Sequence, residues 1–193
     1  MLIGVLAIQG GFEAHRKMLR GLGAEVREIR VPADLDGLDG LVIPGGESTT
    51  IEMGLESAGL EPAIRAHHGA GRPVLGTCAG MIVCDDEHLG LIDVTARRNA
   101  FGRQLQSFEA DLEVEGIGEE PLHAVFIRAP WVDRLGAGVD VLASYEGHPV
   151  AIREGSVLAC AFHPELSDDL RIHALFMAMT TSVRERAREE AKS

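Results

Sequence analysis

Cysteine is scarce in this chain: the 193 residues hold three, Cys78, Cys84 and Cys160. That is too few, and odd in number, for a disulfide framework, and it fits a reducing compartment better than a secreted one. No apolar run approaches the roughly 20 residues needed to span a bilayer. The apolar start, residues 1–8, lacks the basic flank and cleavage site of a secretory leader and reads as a first buried strand. Basic charge is also short. Lys and Arg number 18 against 30 Asp and Glu, a net charge of −12 with no basic stripe. This argues against nucleic acid as the main partner and fits a soluble cytoplasmic protein. Metal-ligand spacing is missing: His67 and His68 are adjacent and no two cysteines form a C-x-x-C pair. Neither a metal nor a cofactor is expected. Without a repeat, linker or low-complexity stretch, residues 1–193 read as a single domain.

What is present is an alternation of short apolar runs and helical patterns. Residues 2–8, 25–31, 39–43 and 73–77 are strand candidates, and residues 12–22, a segment from about Thr49, and 62–68 are helical. Ser48 is a candidate N-cap of the second helix, with Glu52 near the capping-box position. Such a rhythm predicts an α/β fold, a three-layer sandwich with a mostly parallel central sheet. Residues 92–97, 108–114, 122–127, 139–144, 149–153 and 156–162 are further strand candidates separated by Gly, Pro and acidic turns, read as an antiparallel extension. A closing helix is expected over 168–185, with Ile172, Leu175, Phe176 and Met179 on one face and Asp168 and Asp169 capping it; the charged tail from Arg184 to Ser193 reads as a solvated, fraying end.

Two short motifs carry the chemistry. Gly76-Thr77-Cys78-Ala79-Gly80 lies where the fourth strand meets a helical run. A thiol there faces unpaired backbone N–H groups and the positive end of the helix dipole, which favour the thiolate that attacks. The N–H of Ala79 can serve as one half of an oxyanion hole. The pentapeptide alone equally admits a small buried cysteine in a Gly-rich turn. His163-Pro164-Glu165, 85 residues on, follows another strand candidate. Pro164 favours an extended His163, so His163 and Glu165 are predicted to face one side, as base and orienting carboxylate. Taken alone, this tripeptide is also a common polar turn. Cys84, six residues past Cys78, reads as helix packing.

Pro44-Gly45-Gly46-Glu47-Ser48-Thr49-Thr50 also follows a strand and precedes a helix. An N–H from Gly45-Gly46 can complete the oxyanion hole, and Glu47 and Ser48 can meet a small polar substrate. A phosphate loop is disfavoured by the missing G-x-x-x-x-G-K pattern, and a plain Gly turn with a Ser cap remains open. In parallel sheets ligands bind beyond the carboxyl ends of strands. Cys78, Gly45-Gly46 and Gln9-Gly10-Gly11 all lie there.

These stretches, with Gly4–Gly10, Leu41–Thr50, Arg98–Gln104, Phe126–Pro130 and Phe162–Leu166, come in one order along nearly the whole chain. In them the chain resembles the class I glutamine amidotransferases and, more narrowly, the family of glutaminase subunits of pyridoxal 5'-phosphate synthase. The Gly-Gly-Glu-Ser-Thr loop and the Arg98-Asn99-Ala100-Phe101-Gly102-Arg103-Gln104 run select that narrower family. The resemblance implies that Cys78, His163 and Glu165 form a catalytic triad that hydrolyses L-glutamine to glutamate and ammonia. It implies that Gly46, Glu47, Ser48, Arg98, Ile127 and Arg128 bind glutamine, and that Gly46 and Ala79 form the oxyanion hole. It further implies a hetero-oligomeric partner, the synthase subunit, to which the ammonia passes. The segments 9–15 and 45–54, with Gln9 and Glu13, are candidate docking positions.

One departure from the family is a shortened connection between Met81 and Leu91, which puts the local surface and part of the partner contact in question. Other readings of the same motifs are a glutaminase serving a different synthase, a stand-alone cysteine hydrolase, and a regulatory protein that binds glutamine as a signal.

Overall fold

A computed structural model describes residues 1–98 and 107–190. The chain runs β1 (Leu2–Leu6), α1 (Phe12–Gly21), β2 (Glu25–Ile29), β3 (Gly40–Ile43), α2 (Ser48–Ala58), α3 (Glu61–Gly69), β4 (Val74–Thr77) and α4 (Ala79–Cys84). It continues with β5 (Val94–Arg97), β6 (Ser107–Leu112), β7 (Leu122–Ile127), β8 (Trp131–Leu135), β9 (Asp140–Tyr145), β10 (His148–Glu154), β11 (Val157–Cys160) and α5 (Arg171–Glu190).

The main sheet has the order β2-β1-β3-β4-β11-β10-β9. Its first five strands are parallel, and β10 and β9 add an antiparallel edge. The central strands are mostly apolar, as strands covered on both faces are: β3 and β4 are buried at every residue, Thr77 at the end of β4 included. The chain winds outward from β1 to β2 and then back across to β3 and β4. Right-handed crossovers therefore put α1 on one face of the sheet and α2 on the other. The closing helix α5 joins α1: Phe176 packs over Gly40 of β3, and His173 meets His15 of α1. On the opposite face α4 lies so close to β3 that a Cβ on Gly80 would sit 1.9 Å from the Ile43 carbonyl oxygen.

The α/β sandwich with a mostly parallel sheet is as expected. Three details differ from the sequence reading. The segment 156–162 is not part of the antiparallel extension, because β11 pairs in parallel with β4 inside the main sheet. Of the other late strands, β9 and β10 do form an antiparallel extension at the edge of the main sheet, whereas β5 with β8 and β6 with β7 form two separate ribbons; β8 was not foreseen, since Pro130 and three charged or aromatic residues mask its alternation. Helix α5 continues past residue 185 to Glu190, with residues 185–189 exposed to solvent. Its start is tied by Asp169, whose carboxylate accepts the Arg171 N–H at 2.9 Å.

Strands β1, β3, β4 and β11 all end at the same rim, so the segments following them converge there.

Candidate active site

Cys78 is the single residue between β4 and α4. Its φ of 49° and ψ of −110° lie in territory that a side chain rarely occupies, the strain of a sharp elbow. The N–H of Cys78 donates to the Cys160 carbonyl at 2.8 Å, locking the elbow to β11. Its thiol is nearly buried and points at the Ile127 carbonyl, 3.7 Å away. The N–H of Ala79 begins α4 and belongs to the orphan donors of a helix start.

His163 comes off β11 behind Phe162, which is fully buried and packs edge-on against Phe126. The His163 N–H donates to the Val125 carbonyl at 2.8 Å, so β7 fixes its backbone. Its Nδ1–H donates to Glu165 Oε1 at 2.8 Å, which leaves the other ring nitrogen for Cys78. The two side chains meet as predicted, although by a different route. Pro164–Leu166 form a 3-10 turn rather than an extended segment, and it is this turn that swings Glu165 back onto the imidazole. Burial alone would push the His163 pKa down. Hydrogen bonding and charge from Cys78 and Glu165 outweigh it and raise the pKa to about 10. Burial works to raise the Glu165 carboxyl, and its hydrogen bond to His163, helped by His15, brings it below the ordinary value instead. The set is an imidazole wedged between a sulfur and a carboxylate, the arrangement of nucleophilic acyl transfer.

The third wall is the loop after β3. Gly45 lies against both catalytic candidates: a Cβ there would come 2.6 Å from His163 Cε1 and 3.1 Å from Cys78 Cβ. Its N–H donates to Thr77 Oγ1 at 3.1 Å, and its carbonyl accepts the Gly11 N–H at 3.1 Å. The helix cap differs from expectation. Glu47, not Ser48, is the N-cap of α2, and its carboxylate accepts the N–H groups of Thr49 and Thr50 and the Thr50 hydroxyl. The Thr50 N–H and hydroxyl hold that carboxyl below its usual value. The longer Glu side chain reaches the helix start from outside, while Ser48 is drawn into α2 and buried.

These segments enclose a cavity of about 300 Å³. Every residue expected at the site lines it: Gly46, Glu47, Ser48, Cys78, Ala79, Arg98, Ile127, Arg128, His163 and Glu165. Arg98 is held at the rim by Thr49 Oγ1 at 2.7 Å and by Glu52 Oε1 at 2.9 Å, so Glu52 serves this arginine rather than a capping box. Arg128 takes a positive φ of 46°. Asn99, Ala100, Phe101, Gly102, Arg103 and Gln104 lie outside the described residues. Gln9, a docking candidate by sequence, has its carbonyl oxygen engaged by the Glu47 N–H at 2.8 Å. Between Met81 and Leu91, Asp85 is fully buried and accepts from the N–H groups of Glu87 and Ala96, which makes the connection a compact knot. Cys84 is buried beside it, and burial raises its pKa to about 12, which suits packing and not reactivity.

Sequence reasoning missed Thr77 as an anchor of the Gly45 loop, and it missed His15 and His173 behind Glu165. A usable signal existed: each histidine occupies an otherwise apolar helix face, His15 one turn before Leu19 and His173 beside Ile172. Among the described residues no group of three or more His, Cys, Asp or Glu side chains is arranged to hold a metal ion.

Comparison with known proteins gives the family and the fold. The family model described as SNO glutamine amidotransferase family matches residues 5–182. A curated protein from Mycobacteroides abscessus, "Pyridoxal 5'-phosphate synthase subunit PdxT", is 52% identical over 187 residues, covering 92% of this chain and 96% of that protein. One of the same description from Niallia circulans is 49% identical, covering 95% of this chain and 100% of that protein. Among solved structures, one described as "Crystal structure of glutamine amidotransferase" superposes with a TM-score of 0.88 at 45% identity, over 93% of this chain and 98% of that one. The structure of PurLQS from Thermotoga maritima, 16% identical, shares the fold with a TM-score of 0.75 over 92% of this chain and 97% of that one.

Proposed function

The chain belongs to the SNO glutamine amidotransferase family, and from that premise we propose that it is the glutaminase subunit of a pyridoxal 5'-phosphate synthase. It hydrolyses L-glutamine to L-glutamate and ammonia and hands the ammonia to a synthase subunit. The observation that carries the reading is His163, bonded to Glu165 at 2.8 Å and lying beside Cys78 against Gly45, in a cavity lined by all of them.

The chemistry follows from these positions. The Cys78 sulfur attacks the side-chain amide carbon of glutamine, forming a C–S bond. The carbonyl electron pair moves onto oxygen, where the Ala79 N–H and an N–H of the Gly45-Gly46 loop stabilise it. His163, carrying the thiol proton, gives it to the departing nitrogen, and the C–N bond breaks to release ammonia. Water, deprotonated by His163, then cleaves the thioester to glutamate and regenerates the thiol. Glu165 orients the imidazole throughout and stabilises its charged form. Gly46, Glu47, Ser48, Arg98, Ile127 and Arg128 hold the substrate, with Arg98 a natural partner for a carboxylate. The three cysteines are free thiols, which supports the cytoplasm as the setting.

The test is glutamate release from glutamine by the purified chain, alone and with the pyridoxal 5'-phosphate synthase subunit. Hydrolysis stimulated by that subunit is expected. Hydrolysis that the synthase does not alter would assign the chain to another partner, and none under either condition would overturn the reading.

A further inference from the structure

Two histidines lie in the core behind Glu165, and the chemistry above gives them no part. His15 of α1 and His173 of α5 have no exposed surface. Their rings meet at 2.8 Å, His15 Nδ1 to His173 Nε2. On its far side His15 Nε2 lies 3.1 Å from Thr77 Oγ1 and 3.3 Å from Glu165 Oε2. The approach to the carboxylate is close but off the hydrogen-bond line, and Glu165 Oε2 has no other hydrogen-bond partner. A buried carboxylate oxygen without a donor is costly, so the nearest donor matters.

The proton arrangement follows from elimination. Thr77 Oγ1 already accepts from the Gly45 N–H. If His15 carried its proton on Nδ1, its bare Nε2 would face a carboxylate, and His173 would be left with an unpartnered N–H at Nδ1. Orphaned buried donors are rarer than orphaned acceptors. The reverse arrangement leaves only an acceptor unpaired: His173 Nε2–H donates to His15 Nδ1, and His15 Nε2–H points at Thr77 Oγ1 and Glu165 Oε2. Burial, first among the causes, lowers both pKa values, to about 4 for His15 and about 3 for His173, so both rings are neutral near pH 7. A neutral ring can hold only one such polarity at a time.

We propose that His15 is a positioning residue for the triad: its Nε2–H, oriented by His173, holds Glu165 Oε2 so that Oε1 faces His163, and through Thr77 it ties the carboxylate to the Gly45 loop. This rests on the roles given above to Cys78, His163 and Glu165. It explains why two imidazoles are buried where leucines would pack at lower cost. It also makes α1, α5 and the elbow share in setting one hydrogen bond.

The experiment uses His15→Leu, which keeps bulk without a donor, and His15→Gln, whose amide can reach the Nε2 position. Two readouts are taken. The first is kcat and KM for glutamine hydrolysis in the complex with the synthase subunit. The second is the downfield NMR proton of the His163–Glu165 hydrogen bond in the chain alone, identified by its loss in Glu165→Gln. His15→Leu is expected to lower kcat roughly 10- to 100-fold, as misplacing a catalytic group does. KM should stay within about twofold, and the resonance should shift or broaden. His15→Gln should recover most of both. A folded His15→Leu protein with unchanged kcat and an unmoved resonance would overturn the proposal, as would equal impairment of both variants with an unmoved resonance. Should His15→Leu fail to fold, His173→Leu decides by the same criteria. If the wild-type complex hydrolyses no glutamine, the proposed function fails, while the NMR readout still judges the positioning role.

Discussion

His163 Nδ1 and Glu165 Oε1 stand 2.8 Å apart because Pro164 starts a tight 3-10 turn immediately after the histidine. The turn lets a residue only two positions on fold back beneath the ring, and β7 holds the histidine from the other side through the Val125 carbonyl. The carboxylate is thereby nearly buried, where a hydrogen bond to a charged ring counts for more than it would in water.

The two members of that pair have different proposed functions, and their replacements should differ in cost. His163→Ala removes the proposed proton carrier and is expected to lower kcat by about 10⁴-fold. Glu165→Gln keeps the shape but loses the charge, and a smaller fall, on the order of 10²- to 10³-fold, is expected. Steady-state kinetics of glutamate release compares them. Equal losses would mean that His163 cannot be held at all without the carboxylate.

Gly45 tests the closeness of the site. Gly45→Ala would put a methyl group 2.6 Å from His163 Cε1 and 3.1 Å from Cys78 Cβ, forcing the pair to shift. A displacement of that size is expected to cost about 10²-fold in kcat. The thermal unfolding midpoint should fall far less than for a comparable clash in the sheet, because the loop lies at the rim. Wild-type kcat in Gly45→Ala would contradict the geometry.

The elbow was legible because Gly76 and Gly80 leave room around Cys78 in a local sequence with one mechanical purpose. The meeting of His163 with Glu165 was legible too, but the 3-10 turn that brings it about was not, since Pro164 was read as favouring an extended segment. The sheet was legible because apolar runs such as Leu41–Ile43 recur with helical patterns between them. What could not be read is what depends on partners far away in the chain. Helix α2 is capped by Glu47 and not by Ser48, since reach into a three-dimensional helix start decides it. Parallel pairing of β11 with β4 is set by topology, and nothing in residues 156–162 announces it. His15 and His173 lie 158 positions apart; each marks an otherwise apolar helix face, but that they pair with one another shows only when two helices bring them together.

Acid should weaken the fold through its buried histidines. Burial is the main cause that holds His15 at about 4, His67 at about 4 and His173 at about 3, against 6.5 ordinarily. The unfolded chain therefore binds more protons than the folded one below about pH 6.5, and stability is lost as pH falls from there toward 4. Glu165, held below its usual value, adds a loss at still lower pH. His163 acts in the opposite sense. Its raised pKa contributes stability below 6.5 that disappears as pH rises through about 10. Urea midpoints should decline between roughly pH 6.5 and 4; a midpoint that stays flat or rises over that range would contradict the burial of neutral imidazoles.

Cys78→Ala should abolish turnover and leave glutamine binding within about threefold of the wild type, since the residues proposed to hold the substrate are untouched. Calorimetric titration of the variant in complex with the synthase subunit checks the binding. Substantial residual hydrolysis would remove Cys78 from its role.

The most direct measurement is covalent trapping. The chain, together with the proposed partner, a pyridoxal 5'-phosphate synthase subunit, is incubated with a glutamine-like electrophile, and the modified peptide is identified by mass spectrometry. The account predicts a single adduct on Cys78, formed more slowly in His163→Ala and prevented by excess glutamine, with Cys84 and Cys160 unmodified in the core. An adduct on another residue, or labelling of Cys78 that glutamine does not protect, would contradict it.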